Sequence, residues 1–177
     1  MKNVVVPCGC LLLLGALVGC EAFDAAVHEE VEELRAENEQ LAAQNEALKK
    51  QNEAETRRML RDSAIRTLRG YLGESNFPSR VLFNEEDQVI RVDLTNIEFQ
   101  DKDVHIFQQF PKLERLTLWG AGVTDASMDD VAKLTQITHL TLFNTELTAD
   151  GLEKLKPLAG NLRALNLRRS TYLVDEG

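Results

Sequence analysis

Two hydrophobic patterns divide the chain. Between about residues 23 and 72, apolar residues recur in a seven-residue register through a stretch without proline. From about residue 79 onward, leucines instead follow one another at every second or third position, in short segments that repeat along the chain. The first pattern is typical of an amphipathic helix, and the second is typical of short strands with one buried face. The sequence therefore predicts a long helix followed by an α/β repeat array.

The helical pattern, from 23 to 72, has the register of a coiled coil of about three heptads. Setting Val31 at position a assigns two sets of seam residues. The apolar d residues are Leu34, Leu41 and Leu48, and the polar a residues are Asn38, Asn45 and Asn52. Buried asparagines fix the register of a coiled coil at a cost in stability. We therefore predict a weak homo-oligomer of undetermined order, with a single solvated helix as the alternative.

The end of the helix carries a different pattern. Ile65, Leu68 and Leu72 are spaced as an ordinary core-facing stripe, so this portion is expected to pack on the globular domain. Residues 73–78 contain a glycine and a proline and are expected to form a linker.

The C-terminal segments repeat the spacing LxxLxL. Three copies begin at Leu113, Ile137 and Leu162, and a partial copy ends at Leu94. Equivalent leucines at 94, 118, 142 and 167 lie 24, 24 and 25 residues apart. This period and spacing resemble leucine-rich repeats. The resemblance implies a solenoid of short parallel strands and return helices over residues 79–177.

The turns of the array also resemble this family. Ala121, Thr145 and Ser170 occupy the position at which the family turns the chain after its strand. The segments that begin at Thr124 and Thr148 resemble the T-D-x-G-L subtype, in which Thr or Asp caps a short helix. Strands at 81–83 and 89–92 are expected to form a hairpin that covers the first repeat. The last repeat is either uncapped or truncated.

The N-terminus changes the picture from a soluble to an anchored protein. Lys2 precedes a short apolar segment, and the run Leu17-Val18-Gly19-Cys20 closes it. This run resembles the lipobox of bacterial lipoproteins. The resemblance implies a signal peptide over 1–19, cleavage before Cys20, and lipidation of Cys20 within a mature N-terminus of residues 20–22. An ordinary secretory signal and an uncleaved anchor are the alternatives. In the family, Asp after the cysteine retains proteins in the inner membrane, so Glu21 favours the outer membrane; the leaflet is not determined.

Composition excludes several classes of function. The net charge of −9 argues against a nucleic-acid partner, which needs a clustered basic face. Five arginines within 56–72 are interpreted as a solvated face that complements the helix dipole. His28, His105 and His139 lack metal-ligand spacing, and the aspartates lack a calcium-loop spacing and are interpreted as helix caps and helix surface. No catalytic motif is present, so we predict a protein that is not an enzyme and needs no cofactor or metal.

Side chains that alternate with the buried leucines should share the concave face of the sheet. The strongest candidates for partner binding are Trp119 and Phe143, flanked by Arg168, because aromatic residues and arginine are enriched at binding hot spots. The neighbouring row on the same face contains Thr117, Thr141 and Asn166. A cross-strand ladder that only stabilises the sheet is the alternative interpretation.

Taken together, the sequence predicts an envelope lipoprotein whose repeat domain binds a protein or cell-envelope ligand noncovalently. The alternative is a structural tether that acts through its helical stalk, as in the murein lipoprotein, although the C-terminal Lys of that family is absent here.

Overall fold

A computed structural model describes the backbone of residues 18–169 and the side chains of residues 27–169. The protein is α/β, with a long N-terminal helix followed by a mixed five-stranded sheet. The chain forms two compact units, divided between Glu53 and Ala54. Within the described residues, no helix is both long enough and apolar enough to cross a membrane.

Helix α1 (Val18–Arg80) provides all the described residues of the first unit. Here the heptad residues keep much of their surface in solvent: Leu34 is 51% exposed, Leu41 48% and Leu48 55%. Asn38 and Asn45 are exposed as well. The apolar stripe is therefore unpaired within a single chain.

The helix ends differently from the prediction. Gly73 interrupts it with φ 70° and ψ 160°, a conformation that glycine adopts without steric cost. The following residues, predicted as a linker over 73–78, are helical again up to Arg80. Phe77 explains this difference, because its side chain is buried and fixes the short helix against the core. The side-chain amide of Asn76 also donates to the carbonyl of Leu72, at 3.1 Å, and so satisfies an acceptor at the break.

The sheet contains five strands in the order in which they occur along the chain. Their bounds are β1 (Val81–Phe83), β2 (Val89–Asp93), β3 (Arg115–Trp119), β4 (His139–Phe143) and β5 (Ala164–Asn166). The predicted hairpin is present, because β1 and β2 are antiparallel, and β2 to β5 are parallel. The connections contain helices α2 (Met128–Ala132) and α3 (Ala149–Lys154) and the 3₁₀ segments Asp101–Gln109, Asp125–Ser127 and Lys156–Leu158.

Equivalent positions of the repeated segments are neighbours in the sheet. Val92 is paired with Leu116, Leu116 with Leu140, and Leu140 with Leu165. The first three are at most 1% exposed, whereas Leu165, in the last described strand, is 43% exposed. Each segment thus buries its leucines against the next one, and burial declines at β5.

The core extends beyond the leucine layers to the second part of α1. Leu68 and Leu72 are buried and Ile65 packs on the same cluster, which confirms the predicted core-facing stripe. Tyr71 donates a hydrogen bond to the Asp103 carboxylate in the 3₁₀ segment. Burial, followed by this hydrogen bond and the negative charge of Asp103, raises the pKa of Tyr71 to about 12.

The turn after each strand lies one residue earlier than predicted. Asn96, Gly120, Asn144 and Arg169 all have positive φ, at 62°, 112°, 57° and 58°. They are 24, 24 and 25 residues apart, so they are the equivalent positions of successive repeats. The positions predicted to turn the chain follow directly after them: Ala121 is exposed, Thr145 is buried, and Ser170 lies outside the described residues.

Two aspartates that were interpreted as helix caps link neighbouring repeats instead. Asp101 accepts hydrogen bonds from the amide and the hydroxyl of Thr124, at 2.8 and 2.6 Å. Asp125 accepts the same pair from Thr148, at 2.9 and 2.5 Å. The caps were wrongly assigned because a TD dipeptide fits a helix start equally well. Ala149 stands where the next aspartate would be, so this series ends there.

Candidate functional site

The strand register orders the side chains that alternate with the buried leucines into rows on one face of the sheet. One row joins Asp93, Thr117, Thr141 and Asn166, as predicted. A second row joins Trp119 to Phe143. These side chains are partly or fully exposed, whereas the leucines between them are buried. The predicted candidates therefore share one face, on the side of the sheet away from the core.

Trp119 and Phe143 stack on each other. Their ring centroids are 6.0 Å apart and the ring planes meet at 22°. Both side chains are partly buried. Offset stacking of this kind contributes about 0.5–1.5 kcal/mol beyond the burial of area. The pair thus forms a continuous aromatic surface across β3 and β4.

The arginine at this surface is Arg169 and not the predicted Arg168. The guanidinium carbon of Arg169 lies 5.6 Å from the centroid of the Phe143 ring, within the range of a cation–π contact. Arg168 contributes its backbone carbonyl, which accepts a hydrogen bond from the amide of Asn144 at 3.0 Å. The prediction extended strict alternation past the end of β5 at Asn166, where the chain begins to turn.

Arg169 occupies a backbone conformation that its equivalents assign to better-suited residues. The corresponding positions are Asn96, Gly120 and Asn144, and Asn and Gly are the residues that adopt positive φ most readily. A long side chain at φ 58° costs about 1–2 kcal/mol. Such strain is concentrated at functional sites.

The indole nitrogen of Trp119 has no hydrogen-bond partner among the described residues, although it is shielded from solvent. An unsatisfied buried donor costs about 1–3 kcal/mol. A phenylalanine could keep the stack with Phe143 without this cost. Stabilisation of the sheet alone therefore does not explain a tryptophan at this position.

Asp93 is the carboxylate of the first strand on this face. Its side chain accepts hydrogen bonds from the amide and hydroxyl of Thr95, at 3.0 and 2.6 Å. Arg80 and Arg91 approach it to 3.7 and 3.2 Å. Burial opposes its ionisation, but the Thr95 hydrogen bonds and then the two arginines hold the pKa of Asp93 below its usual value. Its charge is thus neutralised within the site.

A third row was missed in the sequence. Arg91 pairs with Arg115 and Arg115 with His139, and these residues line a cavity of about 200 Å³ together with Leu116, Thr117 and Thr141. Arg115 has no ion-pair partner among the described residues. The signal was available, because these residues lie two positions before the predicted polar row and so face the same side. The face is accordingly more basic than the chain as a whole.

The other predicted sites lie elsewhere. The oligomerisation residues Leu34, Asn38, Leu41, Asn45, Leu48 and Asn52 are exposed on α1. Cys20 lies outside the residues whose side chains are described. In residues 27–169, no cluster of His, Cys, Asp and Glu has the composition and spacing of a metal site.

Known proteins add no further information about this surface. No protein-family model, no curated protein and no solved structure matches the chain.

Proposed function

We propose that the protein is a lipid-anchored lipoprotein of the bacterial envelope, whose leucine-rich-repeat domain binds a protein or cell-envelope ligand through the exposed face of its sheet. The anchor is supported by the sequence Leu17-Val18-Gly19-Cys20. Two or more acyl chains on Cys20 would hold the chain stably, since each buried methylene contributes about 0.8 kcal/mol.

The repeat assignment is supported by the register of the sheet and by the turns. A residue with positive φ follows each parallel strand at the same interval, and equivalent aliphatic residues stack in neighbouring strands. The hairpin of β1 and β2 would act as the N-terminal cap. Repeat arrays need such caps because each unit buries its apolar face only against its neighbours.

Binding through the sheet is supported chiefly by one observation, the stack of Trp119 and Phe143 under the guanidinium of Arg169. Both the unsatisfied indole nitrogen and the strained Arg169 backbone count against stability. Residues retained at a cost to folding are typical of a surface that is used for recognition.

Two substitutions separate recognition from packing. We expect Trp119→Phe to leave the urea midpoint unchanged or slightly raised, because it keeps the stack and removes the unsatisfied donor. We expect Trp119→Ser combined with Phe143→Ser to abolish capture of envelope proteins or envelope fragments by the full-length chain while the fold persists. Unfolding of Trp119→Phe would instead support the packing ladder.

Metabolic labelling tests the anchor separately. A palmitate analogue should label the wild-type chain, and Cys20→Ala should abolish the label and release the protein from membranes. A wild-type chain that remains unlabelled and soluble would refute this part of the proposal.

A structural tether that acts through an oligomeric stalk is the second candidate. It is favoured by the exposed heptad stripe, of which Leu34 and Leu48 are more than half exposed in the single chain. In a parallel pair, Glu30 at position g would also face Arg35 at position e of the partner helix.

Sedimentation equilibrium of the full-length chain tests this candidate. Leu34→Asp with Leu41→Asp should shift it to monomer, because the charges enter the seam. Ala36→Asp with Ala43→Asp, at the outward f positions, adds the same charge and should have no effect. A wild-type chain that is monomeric at high micromolar concentration would exclude the coiled coil.

A further inference from the structure

A basic cavity lies in the second unit, between the start of its helical segment and the end of the first 3₁₀ segment. Its volume is about 610 Å³, within the range of pockets for small ligands. Three arginines and two glutamines provide the polar lining. The complete lining is Ala54, Arg57, Arg58, Arg61, Gln108, Gln109 and Pro111.

The arginines lie on the face of α1 that is directed at the domain. Counting back from the buried residues Leu68 and Ala64 in steps of three and four residues leads to Arg61, then to Arg57 and Arg58. An apolar residue at these positions would continue the seal between helix and domain. Arginine leaves a gap there and directs positive charge into it. The solvated face predicted for these arginines therefore does not describe Arg57, Arg58 and Arg61.

The charges in this cavity are poorly compensated. No carboxylate lines it. Arg61 lies 3.7 Å from the adjacent Asp62, too far for a hydrogen bond, and its Nε is shielded from solvent without an acceptor. Burying such a donor costs about 1–3 kcal/mol, and more for a charged group. An acceptor inside the cavity would recover that cost.

The glutamines complete a set of hydrogen-bond donors. The amide nitrogen of Gln108 already donates to Asp130 at 3.0 Å, which fixes the side chain at the rim. Gln109 makes no side-chain hydrogen bond within the described residues and can donate to a ligand oxygen. Guanidinium and amide donors around one space match an oxyanion with several acceptor oxygens.

We propose that this cavity binds a ligand that carries a phosphate group. A phosphate monoester has three terminal oxygens and a charge of about −1.5 to −2, which suits three guanidinium groups better than a single carboxylate does. The cavity is larger than the phosphate itself, so part of the remaining ligand is enclosed as well. The group can belong to a lipid headgroup or to a soluble phosphate ester. This inference does not depend on the proposed binding surface of the sheet.

Calorimetric titration of the full-length chain with pyrophosphate tests the site. We expect micromolar affinity at low salt, and a loss of at least 30-fold in Arg58→Gln with Arg61→Gln. The matched control is Arg66→Gln with Arg163→Gln, which removes two positive charges that do not line the cavity and should change the affinity less than threefold. Arg61→Lys keeps the charge but not the planar fork, and an intermediate loss is expected.

Vesicle sedimentation distinguishes the two sources of phosphate. The chain should carry Cys20→Ala throughout, so that lipidation contributes nothing. Greater binding to phosphatidylglycerol than to phosphatidylcholine, lost in the Arg58 and Arg61 variant alone, identifies a lipid headgroup. Binding of pyrophosphate without this preference identifies a soluble phosphate ester.

Folding defects are controlled with Arg61→Leu, which extends the apolar face. We expect it to raise the urea midpoint while weakening pyrophosphate binding at least tenfold. No binding of pyrophosphate by the wild-type chain, or equal weakening in the matched control, overturns the proposal.

Discussion

The hydrogen bonds between Asp125 and Thr148 give the sharpest test of how neighbouring repeats hold together. Asp125→Ala removes a carboxylate that accepts from both the amide and the hydroxyl of Thr148, at 2.9 and 2.5 Å. Hydrogen bonds to a charged acceptor contribute about 1.5–3 kcal/mol each when buried. Both residues are partly buried, so we expect a loss of about 3 kcal/mol for the pair.

The assay is urea unfolding followed by tryptophan emission. Trp119 is the only tryptophan of the chain and lies in β3, one strand before the altered contact, so its emission reports on the sheet. With a denaturant slope of about 1–3 kcal/mol per M, the midpoint should fall by about 1–3 M. Asp125→Asn keeps one acceptor oxygen and should lose about 1 kcal/mol.

Asp150→Ala is the matched control, because Asp150 is exposed in the first turn of α3 and accepts no side-chain or inter-repeat hydrogen bond in the described residues. Only its favourable interaction with the helix dipole is lost, about 0.5 kcal/mol. If Asp125→Ala and Asp150→Ala have midpoints that differ by less than the equivalent of about 0.5 kcal/mol, the contact does not stabilise the array.

Three further predictions use the same assay. Gly151→Ala places a Cβ atom 2.0 Å from Oδ1 of Asp125 and should cost about 1–3 kcal/mol, whereas Gly160→Ala enters open space and should change little or stabilise slightly. Tyr71→Phe should lose about 1 kcal/mol at neutral pH. Because the pKa of Tyr71 is raised from 10.0 to about 12, its contribution is complete below pH 10.0 and is lost toward pH 12, so wild type and variant should converge there. Asp93 has a lowered pKa, so its contribution is present above its unfolded value of 3.8 and is lost as the pH falls below it; the deficit of Asp93→Asn should therefore shrink in that range, and a constant deficit would contradict the reasoning.

The aromatic surface of the sheet could be predicted only in part. Trp119 and Phe143 were placed correctly on one face because alternation within a strand depends on local geometry alone. Arg169 was missed because the strand ends at Asn166 and the chain then turns with positive φ. The sign of φ after a strand end is not determined by the pattern of leucines.

The period of the leucines by itself determined which side chains are buried and which strands are neighbours. Leu116 and Leu140 lie in register because a repeat of constant length can stack its apolar face only against its own equivalents. The same argument extends to Ile65, Leu68 and Leu72, whose spacing requires an apolar partner surface.

Only the tertiary structure decided which polar groups meet. Asp125 contacts Thr148 and Arg61 lines a cavity with Gln109, and in each case the partners lie more than 20 residues apart. Burial of apolar area is nearly independent of direction, so its periodicity can be read along the chain. Hydrogen bonds and ion pairs need defined distances and angles, and these exist only once the surrounding elements have packed.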